Sequence, residues 1–262
     1  MSKQERPRSV PPFPSSPWMN LLYVWCAYQE RLGRGLRWEC RLPPRVAKAY
    51  RRFMTLIRAR SPLRLQTTAE HTVGLALLWQ YVGGELNAHG VPVDTALGTH
   101  TAVNHDVGED VDVPAPQKTV LDDVREYEAF CLIVERLPLP VYLAERRAFL
   151  LQFAHQDYAK RVFFPKDAQE IMLELRRTNP LEVELFALLE RMDYLLYALE
   201  QYLKYGQYEV LVHVARRETL AMKRAAKQIP QFRELFWPDN LSLWFDQFLE
   251  AYKDVPLEVF PS

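Results

Sequence analysis

The 262-residue chain lacks an excess of charge of either sign, with 33 Lys and Arg against 33 Asp and Glu. A surface built to grip long nucleic acid or an anionic membrane carries a large positive surplus, so neutrality excludes those partners and leaves room for a basic pocket around a small ligand. Cysteine is scarce as well. Cys26, Cys40 and Cys131 are odd in number, far apart and in no Cys-x-x-Cys spacing, which argues against a disulfide framework or a thiolate zinc site and fits a reducing cytosol. No N-terminal stretch orders basic, apolar and cleavage regions, and apolar runs such as 21–27 are far shorter than a membrane span. A soluble, cytoplasmic protein is expected. Neither strand-like alternation nor a repeat of about 20 to 50 residues is visible, so the expected fold class is all-α.

What the chain does have is a hydrophobic content of 48%, enough for a sizeable core. Residues 1–17 carry Pro7, Pro11, Pro12, Pro14 and Pro17 among serines and charges and read as a disordered arm. Residues 18–44 read as an N-terminal helical extension, aromatic from Trp18 to Leu32 and then broken by Gly33, Gly35 and Pro43-Pro44. The main domain is expected over 45–237, opening with a helix to about Arg58, and a C-terminal helix and tail over 238–262.

Within that domain Thr67-Thr68-Ala69-Glu70 has capping-box spacing, which puts His71 in a helical first turn, and Gly83-Gly84 are expected to end that helix. Asp94 can cap the next, where Leu97, Thr101 and His105 recur at four-residue steps. Prolines at 114 and 116 force a turn or extended loop over Asp112-Val113-Pro114-Ala115-Pro116. Helical periodicity returns over Val120–Leu137, Val141–Tyr158 and Lys166–Arg177, with 160–180 read as an insertion or lid. Leu185, Leu189, Met192, Leu196, Leu199 and Leu203 form the stripe of a long helix, and Asp193 falls about 80° from its centre, where a carboxylate is partly desolvated. Helices are also expected over Tyr208–Lys227, between Pro230 and Pro238, and from Leu241 to Tyr252.

Chemistry concentrates in Asn104-His105-Asp106-Val107-Gly108-Glu109-Asp110. If one helix carries this heptad, His105 and Glu109 share a face with Asp106 turned 100° away. A cation beside the helix is then within reach of His105 and Asp106, with Glu109 one shell out. His71 upstream and Asp193 downstream are the candidates that complete the site. Two imidazoles and two carboxylates suit Mn, Fe, Co, Ni or Zn with positions left open for water and substrate, a hydrolytic arrangement.

Glu70-His71-Thr72, His105-Asp106-x-x-Glu109 and a late Asp193 in an apolar helix resemble the HD-domain phosphohydrolases, an all-α superfamily, and most of all the YfbR-like 5′-deoxynucleotidases and their HD-domain relatives. The likeness covers roughly residues 50–158 and 185–237. It implies an HD-domain helical bundle, one divalent ion (Co, Mn, Fe, Ni, Zn or Mg) on His71, His105, Asp106 and Asp193, and a homodimer. Glu109 matches the acidic residue that works on the attacking water or leaving group, and Asp112 the loop aspartate near the sugar and the nucleophile. Arg60 matches the arginine that holds phosphate, with Arg64 the next choice and Lys118 a further cation. The chain departs from the pattern in three places, one of them a shorter arginine loop. The interval from the His-Asp pair to the loop aspartate is two residues shorter, so Asp110 competes with Asp112 for that role, and Ser61 stands where the family has the tryptophan that helps select the sugar.

Each residue also has a plainer reading. A lone His-Asp pair is usually a helix-surface or capping feature, Glu70 closes its capping box, loop arginines and lysines are solvated, and a buried Asp193 would bond a neighbouring Tyr or Arg. His155 has no second histidine beside it, and His100 points about 140° away from His105. Arg216, Lys223 and Lys227 line one helical face that reads as solvated. The expected activity is hydrolysis at the α-phosphate of a nucleotide, a nucleoside 5′-monophosphate giving nucleoside and phosphate. The alternatives are a deoxynucleoside triphosphate releasing triphosphate, and a catalytically silent nucleotide-binding or regulatory module.

Overall fold

The computed structural model describes residues 68–108 and 119–254, and among them are ten helices and no strand. They are α1 (Thr68–Ala88), α2 (Thr95–Asn104), α3 (Val120–Val134), α4 (Leu139–Leu151), α5 (Tyr158–Arg161), α6 (Lys166–Thr178), α7 (Pro180–Tyr205), α8 (Tyr208–Gln228), α9 (Pro230–Phe236) and α10 (Asp239–Ala251). The expected arm, the N-terminal helices and the far C-terminal tail lie outside the described residues. No helix among those described is long and apolar enough to cross a membrane.

Local chemistry sets most of the boundaries. Asp94 caps α2 by accepting the Leu97 N–H at 2.9 Å. Thr119 and Asp122 form a capping box at the start of α3, whose backbone and hydroxyl hydrogen bonds hold the Asp122 carboxyl below its ordinary pKa. Prolines open α7 and α9 in their first turns, where the missing N–H costs nothing. At the end of α7, Gly206 takes a left-handed φ of 69°, letting its own N–H reach Tyr202 O and the next N–H reach Gln201 O.

The core is one continuous apolar cluster running from Leu75 and Trp79 in α1, through Phe149 in α4 and Met172 in α6, to Leu189 and Leu196 in α7 and Phe245 and Phe248 in α10. Helix α7 touches α1, α2, α4, α6 and α8 and is the axis on which the others are hung. Its expected stripe is buried apart from Leu203. Asp193, expected at the stripe's border, has no exposed surface at all.

Three expectations are corrected. Helix α1 passes through Gly83 and Gly84 and ends at Ala88. A Cβ on Gly83 would lie 2.6 Å from Thr95 Cγ2, so the glycine marks where the start of α2 crosses α1 rather than a helix end. The turn follows, with the Asn87 amide bonding both the N–H and the carbonyl of Val93, and Gly90 at φ 81°. Helix α2 ends at Asn104, so His105 and Asp106 stand on a terminal turn and not mid-helix. His105 is still αR and donates its N–H to Thr101 O, but the next bond, Val107 N–H to Asn104 O, spans one residue fewer, and Gly108 then runs against α3, where a Cβ would lie 2.1 Å from Glu126 O.

The span 160–180, read as an insertion or lid, packs against α4 and α7. Ala168, Met172 and Leu175 are fully buried in the common core, and Arg146 on α4 binds Asp167 while Arg147 binds Glu174 at 2.9 Å. On α8, the face carrying Arg216 and Lys223 packs towards α10. Arg216 donates to the carbonyls of Tyr252 and Lys253 at that helix's end, and Lys223 pairs with Asp246 at 2.5 Å.

The close crossing of α1 and α2 gives a stability test. A Cβ on Gly98 would lie 2.1 Å from the buried, rigid Trp79 ring, whereas one on Gly84 meets nothing within 4 Å. Gly98→Ala is expected to lose about 1–3 kcal/mol in urea unfolding, and Gly84→Ala to gain roughly 0.5–1 kcal/mol.

Candidate metal centre

Three expected residues converge between the first turn of α1 and the end of α2. His71 Nε2 and His105 Nε2 are 3.2 Å apart, Asp106 Oδ2 is 3.2 Å from His105 Nε2, and it is 3.9 Å from His71 Nε2. Among the described residues this is the group of three or more metal-ligating side chains whose donor atoms come together.

The hydrogen bonds behind the rings decide what those atoms are. His105 Nδ1 lies 2.7 Å from the carbonyl of Ala102, which can only accept, so Nδ1 carries the proton and Nε2 presents a lone pair. His71 Nδ1 lies 2.7 Å from Asp193 Oδ2, so it too donates and leaves its Nε2 as a lone pair in the neutral ring. Two nitrogen lone pairs and a carboxylate oxygen therefore face one point. Acceptors at 3.2 Å repel unless a positive charge lies between them, and that charge is either a proton or a metal ion.

The spacing suits an ion. Bonds of about 2.0–2.2 Å place ligand atoms roughly 3.0 Å apart at a right angle and about 3.4 Å apart at a tetrahedral one; two of the observed separations, 3.2 and 3.2 Å, fall between those edges, and the third, 3.9 Å, corresponds to a wider angle. The donor set of two imidazoles and one carboxylate suits a borderline transition metal such as Zn, Mn, Fe or Co.

Asp193 joins the group through the far nitrogen of His71, not beside its Nε2. This carboxylate–imidazole pair fixes the tautomer and orientation of a ligating ring and raises its basicity. Burial of the His71 ring opposes its charged form, but Asp193, by its charge and its hydrogen bond, outweighs that with help from Asp106 and Glu190 and pushes the pKa up to about 9. A proton holds the site at neutral pH when no ion does.

Residues not singled out by sequence reasoning complete the frame. Gln152 on the turn after α4 donates to His105 O at 3.0 Å, satisfying a carbonyl freed by the end of α2. Phe186 meets the His105 ring edge to face, with centroids 5.7 Å apart. Tyr194 lies parallel to His71, interplanar angle 3° and centroids 5.5 Å apart. The signal for Tyr194 was its place beside Asp193, whereas nothing in the sequence ties Gln152 to position 105.

Of the other expected site residues, Arg60, Arg64, Glu109, Asp112 and Lys118 lie outside the described residues, as does Asp110. Glu70 is buried in the first turn of α1. His100 turns away to Glu145, with Nε2 2.8 Å from its Oε2, and His155 is not part of the converging group. No family model, curated protein or solved structure matches the chain.

Because a proton and an ion would compete for the same lone pair, any metal uptake is expected to depend on pH. Affinity for Zn²⁺ or Mn²⁺ is expected to rise about tenfold per pH unit below pH 9 and to level off above it, with one proton released per ion at neutral pH. Calorimetry in buffers of different ionisation heat measures that release. For the metal-free protein the sign runs the other way: a His71 pKa raised from 6.5 to about 9 contributes stability fully present below pH 6.5 and lost as pH rises through 9.

Proposed function

We propose that this chain is a metal-dependent phosphohydrolase acting at the α-phosphate of a nucleotide, with a nucleoside 5′-monophosphate as the preferred substrate and nucleoside plus phosphate as products. The observation that carries the reading is the convergence of His71 Nε2, His105 Nε2 and Asp106 Oδ2 with both imidazole tautomers fixed from behind. The likeness to HD-domain phosphohydrolases supplies the substrate class.

A divalent ion held there supplies a Lewis acid for a phosphoryl oxygen and makes a water molecule a better nucleophile. The chain's own residues do the rest. Asp193 keeps the His71 ring in its ligating orientation, and the Ala102 carbonyl does the same for His105. Asp106 is partly exposed while Asp193 and His105 are buried, so the group opens towards solvent on the Asp106 side, where substrate enters. Glu109, three residues beyond Asp106, is assigned the proton transfer at the attacking water or the leaving oxygen. Arg60 is assigned the phosphate, a role that guanidinium fills through paired hydrogen bonds.

The monophosphate reading follows the likeness to the 5′-deoxynucleotidases. Within the 160–180 span Arg161 and Arg176 both donate to the Gln156 carbonyl, so a triphosphate substrate would draw on the exposed Lys160, Lys166 or Arg177 instead.

A metal-by-nucleotide screen tests the proposal through its products. Wild type with Mn²⁺ or Co²⁺ is expected to release phosphate from nucleoside monophosphates; release of triphosphate from deoxynucleoside triphosphates would move the assignment to the rival, and neither product would sink both. His105→Ala and Asp106→Ala are expected to lose bound metal and at least about a thousandfold in kcat. Asp193→Ala is expected to lose metal and activity together, since the buried His71 Nδ1 would be left without its acceptor. A fully active Asp193→Ala protein would break that account of His71.

A further inference from the structure

His105 and Asp106 lie just past the end of α2, and the neighbouring helix α4 holds that end at three points. Glu145 Oε2 accepts from His100 Nε2 at 2.8 Å and from Asn104 Nδ2 at 2.5 Å, two donors one helical turn apart on α2. Seven residues further along, Gln152 is still in helical conformation, which brings it within about 20° of the same face of α4. Its amide donates to His105 O at 3.0 Å.

Two observations separate this grip from ordinary packing. A carboxylate beside the last turn of a helix has the wrong sign for the partial negative charge there, so helix stability alone does not favour Glu145 in that place. Asp106, for its part, approaches only the two imidazoles among the described residues. No described group outside the centre fixes its carboxylate, and the backbone of the turn decides where it lies. That turn starts at Asn104, the residue Glu145 holds, whose carbonyl accepts the Val107 N–H at 3.0 Å.

We propose that Glu145 is a positioning residue of the metal centre: by holding His100 and Asn104 against α4 it sets the angle at which Asp106 meets the ion. Without it, only the Gln152 bond remains of the three, and one hydrogen bond fixes a point but not a direction. The inference rests on the metal centre of the proposed hydrolase and assigns part of its geometry to a residue outside the ligand set.

The full-length chain loaded with Co²⁺ tests this, because the visible spectrum of that ion reports the number and angles of its ligands. Glu145→Ala is expected to shift the Co²⁺ bands and to weaken Mn²⁺ binding, measured by calorimetry, about ten- to a hundredfold. Turnover should fall through kcat, with KM for a nucleoside monophosphate within about twofold of wild type. Glu145→Gln, whose amide oxygen can still accept from Asn104, should restore the spectrum and most of the affinity. Arg147→Ala is the control for lost packing. It frees α4 from Glu174, Thr178 and Asn179 at the end of α6, and it is expected to lower the unfolding midpoint without moving the Co²⁺ bands. An unshifted spectrum with unchanged Mn²⁺ affinity in Glu145→Ala would overturn the inference, as would a shift of the same size in Arg147→Ala. Should Glu145→Ala fail to fold, Asn104→Ala withdraws one of the two donors and carries the same expectation in smaller measure; unmoved bands there overturn it. If wild type takes up neither Co²⁺ nor Mn²⁺, the centre and this inference fall together. If it binds metal but releases phosphate from no nucleotide, the hydrolase falls and the spectra still decide for or against Glu145.

Discussion

The hydrogen bond from His71 Nδ1 to Asp193 Oδ2, 2.7 Å long, ties the first turn of α1 to the middle of α7. A carboxyl group with no exposed surface is costly unless charge or hydrogen bonds compensate it, and the His71 imidazole contributes to that compensation. The same bond fixes the His71 tautomer and so aims a lone pair at His105 and Asp106. Removing Asp193 leaves the buried His71 Nδ1 without its acceptor, so the contact that orients the centre also ties the helix pair together.

The second constraint is where α2 stops. Gly98 lets α2 lie directly on the Trp79 ring of α1, which brings the two helices close enough for His71 and His105 to meet. Beyond Asn104 the chain tightens into a terminal turn, and there Asp106 Oδ2 comes to 3.2 Å from His105 Nε2. The Gln152 amide on the following carbonyl and the contact of Gly108 with α3 hold the turn in place.

The helices themselves were readable because their signals are local. The cap at Asp94, the prolines at 230 and 238 and the apolar stripe of α7 each act within a few residues and predict elements close to those found. Positions decided by another element were not readable. Gly83 and Gly84 look like a stop in one dimension, and only the crossing of Thr95 over α1 explains Gly83 as a close approach. The depth of Asp193 and the path of α2 beyond Asn104 are likewise tertiary facts. The meeting of His71, His105 and Asp106 followed from the order and spacing of their motifs, but the place of Asp193 behind His71 did not, since a ligand and a partner of a ligand carry the same side chain.

The uneven burial of the group bears on what kind of centre it is. His105 and Asp193 are closed off by Phe186 and the α7 core, whereas Asp106, Val107 and Tyr194 reach solvent. A structural metal site is closed on all sides by four protein ligands, while a hydrolytic one keeps positions for water and substrate. Three converging donor atoms, backed by fixed hydrogen bonds on the buried side and opening on the other, match the second description and support the proposed hydrolase. In that proposal the rigid half would set the geometry of an ion, and the open half would leave the remaining positions to the reactants.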